Sequence, residues 1–290
     1  MKSDKKQMND PTQLTINANG RLMELNTAKV MGILNVTPDS FFADSRKQTE
    51  REIAERARQI IEEGADIIDI GAYSSRPNAQ DVSAEEEKER LRKGLDILRR
   101  EFPDAVVSVD TFRADVAVMC VEEYDAAIIN DISGGQMDKL MFDTVERLNV
   151  PYVLTHLQGT PQSMQTAPHY DNLRIEVMQY FARKVQELHA RGVKDVIIDP
   201  GFGFGKTLEQ NYELFKHLED FHTLRLPILV GISRKSMIYR RLGCTPAEAL
   251  NGTIALNTLA LAKGAHILRV HDVKACVEAI KIFNAMNQQP

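Results

Sequence analysis

The stretch Asp199-Pro200-Gly201-Phe202-Gly203-Phe204-Gly205-Lys206 joins a carboxylate to alternating glycines, directly after the apolar run Val196, Ile197 and Ile198. A carboxylate at the mouth of a buried strand, followed by backbone without side chains, suits the close approach of a flat polar ligand. Two phosphate-binding motifs do not fit. A Walker A loop ending in Gly205-Lys206-Thr207 would need Gly where Pro200 stands. A dinucleotide fingerprint beginning at Gly203 would need Gly where Leu208 stands. The plainer alternative is that the glycines only make a tight turn.

Asp199 is not alone. Asn35, Ser75-Arg76-Pro77, Asp110, Asn130-Asp131, His156, Ser233-Arg234-Lys235 and Arg269-Val270-His271 each close or follow a short apolar run in the same way. The runs cover residues 30–36, 67–71, 106–110, 126–131, 152–156, 196–199, 228–231 and 266–270, and they read as eight strands. Helical spacing follows most of them. Ile53, Ala54, Ala57, Ile60 and Ile61 stop at Gly64, and Leu173, Val177, Phe181, Val185 and Leu188 stop at Gly192. Capping boxes are expected at Thr49, Ser83 and Thr245, the last with Pro246 at the first helical position. The charged run 85–100 reads as a solvated helix face.

Repeated β-then-α units predict an α/β fold, a (β/α)8 TIM barrel, with a doubly wound open sheet as the weaker alternative. Residues 14–25 read as an N-terminal β-hairpin turning at Asn19-Gly20. Residues 1–11 are polar and are expected to be a disordered tail without a leader sequence, and no linker divides 29–290, so one barrel domain is expected. In a barrel, chemistry gathers at the C-terminal ends of the strands, where the polar residues named above fall.

The bulk properties narrow the function. With 290 residues and a net charge of −5 without any basic block, nucleic acid is not an expected partner. No run is long and apolar enough to span a membrane. Cys120, Cys244 and Cys276 lack metal spacing and read as buried thiols in a reducing, cytoplasmic setting.

From about Lys29 onward the chain resembles the dihydropteroate synthases, a folate-pathway family targeted by sulfonamides. The resemblance rests on ILNVTPDSFF (33–42), SSRP (74–77), SVDT (108–111), IND (129–131), HLQGTP (156–161), DPGFGFGK (199–206), SRKS (233–236) and RVHDV (269–273), in that order. It implies a (β/α)8 barrel that joins p-aminobenzoate to dihydropterin diphosphate, releasing pyrophosphate, with Mg²⁺ assisting and a homodimer formed through C-terminal helices. It implies pterin recognition by Asp110, Asn130, Asp199 and Lys235. It also implies a diphosphate site of Arg76, Arg269, His271 and Asn35, with Asn35 the Mg²⁺ ligand. Thr37, Pro38, Asp39, Phe41, Ser75, Phe204 and Ser233 would form the p-aminobenzoate pocket, and Asp110, Lys235, Arg269 and His271 would act in catalysis. The loops 36–48 and 72–82 would close over the substrates.

The residue types suit these roles. A pterin edge presents adjacent donors that one carboxylate accepts together, and an amide and an ammonium serve the remaining ring atoms. Arginine, histidine and a metal aimed at a departing diphosphate would lower its barrier electrostatically. Bland readings compete at three positions: Asp131 as a turn cap, His156 as a satisfied core histidine, and Arg234 as a structural residue. The second loop departs from the family pattern at Ala72, Tyr73, Ser75 and Asn78, and the first lacks the usual Asp-Gly-Gly after Phe42. A folate-dependent methyltransferase barrel would share the pterin readers but has no use for the diphosphate residues. A non-catalytic pterin binder would bind without turnover.

Overall fold

The computed structural model describes residues 14–36, 46–73, 82–159 and 168–287. The expected tail at 1–11 and most of both expected lid loops lie outside them. The chain opens with β1 (Thr15–Ala18) and β2 (Arg21–Glu24), paired antiparallel from Thr15↔Glu24 to Ala18↔Arg21. Asn19 and Gly20 both take positive φ, 53° and 75°. That is the type I′ turn whose twist matches the strands it joins, as the Asn-Gly pair predicts.

Eight parallel strands follow. They are β3 (Lys29–Asn35), β4 (Ile67–Gly71), β5 (Val107–Asp110), β6 (Ile128–Asp131), β7 (Tyr152–Thr155), β8 (Val196–Asp199), β9 (Leu229–Val230) and β10 (Ile267–Val270). Their order runs β8-β7-β6-β5-β4-β3-β10-β9. A parallel bridge Ile198↔Ile228 and the bond from Ile198 N–H to Pro227 O, 2.9 Å, join the two ends. The sheet therefore closes, which excludes the open doubly wound alternative. Helices α1 (Arg46–Glu62), α2 (Ala84–Glu101), α3 (Ala114–Tyr124), α4 (Met141–Leu148), α5 (Leu173–Ala190), α6 (Leu208–Lys216), α7 (Ser236–Leu242), α8 (Leu250–Ala262) and α9 (Val273–Asn287) alternate with the strands. Among the described residues, no helix is long and apolar enough to cross a membrane.

Several expected boundaries move. Thr49 lies within α1, because that helix already runs from Arg46. Ser83 does cap α2, accepting the Glu86 amide at 3.2 Å. The reciprocal box at Thr245 caps a short 3-10 turn, Pro246–Glu248, and α8 starts only at Leu250. The strand expected from 126 starts at Ile128, since the Ala126 amide is spent closing the end of α3 on the Cys120 carbonyl. Cys120 and Cys276 are buried, whereas Cys244 is only half-buried.

Two apolar cores result. The larger lies between strands and helices. The smaller fills the lower barrel with Met31, Ile67, Ile128, Val153, Ile197, Leu229 and Ile267, stoppered by Ile16, Ala18 and Leu25 of the hairpin segment. Side chains two positions apart on a strand share a face. The residues stacked above Ile67, Ile128, Ile197 and Ile267 are thus Asp69, Asn130, Asp199 and Arg269. An apolar floor carries a polar layer facing the open end. Because Ile16 is 1% exposed in that floor, Ile16→Ala is expected to cost about 2–4 kcal/mol. Urea unfolding checks this, and substrate KM values should stay unchanged because the hairpin sits at the opposite mouth.

Candidate active site

The polar layer is built around one guanidinium. Arg269 Nε donates to Asp69 Oδ2 at 2.5 Å, and its Nη2 donates to Asp110 Oδ2 at 2.6 Å. Asp69 Oδ2 also accepts from Asn130 Nδ2 at 3.1 Å. Strand register explains the meeting. Asn35↔Gly71, Gly71↔Asp110 and Asp110↔Asn130 are successive ladder partners, so β3 to β6 present Asn35, Asp110 and Asn130 in one row around Gly71. Burial raises the Asp110 carboxyl above its ordinary value while the Arg269 guanidinium pulls the other way. The same two carboxylates hold Arg269 above the ordinary arginine value against its own desolvation.

Asp199 ends β8 and is 5% exposed. Its Oδ1 accepts the Gly201 amide at 2.8 Å. Burial raises its pKa, opposed first by Lys235 and then by that amide. Lys235 arrives from the loop after β9, and its Nζ donates to the Phe202 carbonyl at 2.6 Å. The ammonium also lies 4.1 Å from the centre of the Phe204 ring, a cation–π contact. Burial lowers Lys235 to about 8, with Asp199 opposing. Gly201 has φ 71°, and a Cβ there would run into the His156 carbonyl oxygen. Here glycine is required by the turn, and the turn is what brings Phe202 and Phe204 against Lys235.

Lys206 fastens that turn. Buried to 2% exposure, its Nζ lies 2.9 Å from the Gly201 carbonyl, 3.0 Å from the Phe204 carbonyl and 2.9 Å from His156 Nδ1. Burial lowers it to about 7. Burial, then Lys206, hold His156 well below the ordinary histidine value, so a neutral imidazole faces the lysine. His156 is therefore the satisfied core histidine. Asp131 likewise caps a turn: it accepts the Ser133 and Gly135 amides and the Tyr152 hydroxyl at 2.7, 2.8 and 2.6 Å.

The loops after β9 and β10 are clipped twice. Ser233 Oγ accepts the His271 amide at 3.1 Å and lies 3.1 Å from His271 Nδ1. Beside it, Arg234 grips Asp272 bidentately through Nε and Nη2 at 2.9 and 2.6 Å, the structural role expected of it. Asn35 is exposed at the end of β3. Thus Asp110, Asn130, Asp199, Lys235, Arg269 and His271 gather at one end of the barrel, with Asn35, Phe204 and Ser233. Thr37, Pro38, Asp39, Phe41, Ser75 and Arg76 lie outside the described residues. Sequence reasoning passed over Asp69 and Lys206. Asp69 was signalled by a lone charge inside Ile67-Ile68-Asp69-Ile70, a run buried on both faces. Lys206 was weighed only as a phosphate-binding lysine.

Comparison with known proteins places this geometry. The pattern of the pterin binding enzyme family matches residues 31–271. The chain is 40% identical to a dihydropteroate synthase of Escherichia coli (strain K12), over 92% of this chain and 95% of that one. The chain belongs to the dihydropteroate synthase family. It superposes on the Yersinia pestis dihydropteroate synthase with sulfonamide drug complex with a TM-score of 0.87 and 38% identity, covering 94% and 99% of the two chains. The Xanthomonas albilineans dihydropteroate synthase with 4-aminobenzoic acid gives a TM-score of 0.87 and 36% identity, over 96% and 100%. The strand-end row, the glycine turn and the clipped loops are thus parts of a transferase of this family.

Lys206 makes stability depend on pH. Below about 7 the folded and unfolded chains both carry its proton, and the cost of burying the ammonium is complete. From about 7 up to the ordinary lysine value (~10.4) the unfolded chain binds the extra proton, so stability rises with pH. The wild-type minus Lys206→Met difference in unfolding free energy is expected to rise by about 1 kcal/mol per pH unit across that window. Denaturant titrations at several pH values check it.

Proposed function

We propose that the chain catalyses the dihydropteroate synthase reaction as a single barrel domain. It condenses p-aminobenzoate with 6-hydroxymethyl-7,8-dihydropterin diphosphate, giving 7,8-dihydropteroate and pyrophosphate. The observation that carries the reading is the joint presence, around one mouth, of carboxylate, amide and ammonium groups beside an arginine and a histidine. Asp199, with Oδ2 beside Gly231 where a side chain is missing, is placed to accept from the amino and ring N–H edge of the pterin. Asn130 and Asp110 serve other ring atoms. Lys235 keeps two N–H bonds beyond the one given to Phe202, enough for the pterin carbonyl and a ring nitrogen.

In the reaction the C–O bond to the diphosphate breaks, pyrophosphate leaves with the electron pair, and the aniline nitrogen forms the new C–N bond and loses a proton. Arg269 and His271, with Arg76 from the second loop, are the cationic groups for the leaving anion. Asp110 is the carboxylate for positive charge developing on the pterin. Phe204 and Ser233 supply an apolar wall and a hydroxyl for p-aminobenzoate, with Thr37, Pro38, Asp39, Phe41 and Ser75 completing the pocket. Asn35 would hold Mg²⁺. An exposed neutral amide fits a Mg²⁺ that keeps its waters and phosphate oxygens, and among the described residues no cluster of three or more His, Cys, Asp or Glu side chains forms a cage for one. When bound, the ion supplies further positive charge near the diphosphate.

Exposed Leu242, Leu250, Leu259, Ile282 and Met286 on α7 to α9 support a homodimer through the C-terminal helices. Free thiols support a cytoplasmic location.

Pyrophosphate release that requires p-aminobenzoate tests the reading, and pterin binding without turnover would refute it. Asp199→Ala is expected to weaken dihydropterin binding about 100-fold, read by calorimetry. Arg269→Ala is expected to slow pyrophosphate release. Because it strands Asp69 and Asp110, it should also cost about 3–5 kcal/mol of stability, measured by urea unfolding.

A further inference from the structure

Asp69 is fully buried, yet its side chain engages only groups of the site. Oδ2 takes both hydrogen bonds, from Arg269 Nε and from Asn130 Nδ2. Oδ1 is buried without any partner among the described residues. The hydroxyl of Ser108, the ladder partner of Asp69 on β5, is buried and unpartnered as well. Toward both the guanidinium and the amide, Asp69 Oδ2 is the acceptor. That has two geometric consequences. Asn130 must turn its NH2 toward Asp69, so its carbonyl oxygen points elsewhere. The planar fork of Arg269 is pinned at two corners, Nε by Asp69 and Nη2 by Asp110, which fixes its plane and the direction of Nη1.

We propose that Asp69 is a positioning residue that selects which edge of Asn130 meets the pterin and which edge of Arg269 meets the diphosphate of the same substrate. This rests on the synthase reading for the identity of the ligand. Asp69 sits one strand residue pair below the rim, beneath Gly71 on β4, and touches the ligand only through its two partners. Losing it leaves Asn130 free to flip and lets Arg269 swing wholly to Asp110. A plain strand brace would instead affect both substrates alike and leave titration untouched.

The test compares wild type, Asp69→Asn and Asp69→Glu by initial rates of pyrophosphate release, varying each substrate at saturating levels of the other. Asp69→Asn is expected to raise KM for dihydropterin diphosphate about 10- to 100-fold while leaving KM for p-aminobenzoate within about twofold. It should also move the acid limb of the pH profile to lower pH. Asp110 faces the charges of Arg269, Asp69, Glu87, Asp131 and Lys235, and deleting the Asp69 charge removes one of those that raise it. Asp69→Glu keeps the charge and displaces the carboxylate. It should raise the pterin KM without moving the limb, and it carries the test if Asp69→Asn does not fold. Equal changes in both KM values, or an Asp69→Asn profile with an unmoved limb, would overturn the proposal. Calorimetry with dihydropterin alone separates the two readings. Wild type that binds but does not turn over defeats the synthase assignment, whereas equal binding by wild type and Asp69→Asn defeats the role of Asp69.

Discussion

One arginine held between two aspartates determines what the upper barrel can be. Removing a carboxylate from water costs several kcal/mol, and Asp69 is wholly removed. It is tolerable only because Arg269, which stays charged in any environment, reaches past β3 to meet it. The same guanidinium reaches Asp110, so one cation from β10 fixes groups on β4 and β5, and through Asp69 also Asn130 on β6. Such a cluster needs dry walls on one side and an opening on the other. The isoleucine floor with its hairpin stopper supplies the first, and the strand ends supply the second.

The rest of the site is arranged so that its groups cannot drift. Asp199 and the glycine turn form one unit, closed by the Asp199–Gly201 bond and by Lys206 reaching back to three acceptors. Lys235 and His271 come from neighbouring loops, locked together by Ser233–His271 and Arg234–Asp272. Preorganisation of this kind matters for a reaction whose catalysis is chiefly electrostatic, because dipoles already in place need not reorganise as charge moves to the leaving group.

Much of this was legible in the sequence for identifiable reasons. Strands buried on both faces leave continuous apolar runs, so the ends at Gly71, Asp110, Asp131, Asp199 and Val270 were fixed by where those runs stop. Asn19-Gly20 specified its own turn. Helix starts were less legible: Thr49 has capping chemistry, yet the helix continues past it on the N-terminal side. Thr207-Leu208-Glu209-Gln210 spells a capping box in the sequence itself, and the structure forms it at the start of α6. Asp69 and Lys206 were missed for a shared reason. Each is a charge with a side-chain partner far along the chain, Arg269 200 residues from Asp69 and His156 50 from Lys206, and no local spacing announces such a pairing.

The central claim is that one barrel mouth reads a fused ring and holds a departing anion at the same time. A crystal structure with dihydropterin and pyrophosphate bound tests it most directly. The ring edge is expected against Asp199, with Asn130, Asp110 and Lys235 around it, and the anion beside His271 and the open side of Arg269. A pterin bound at any other place, or an anion seated away from these two residues, would contradict it.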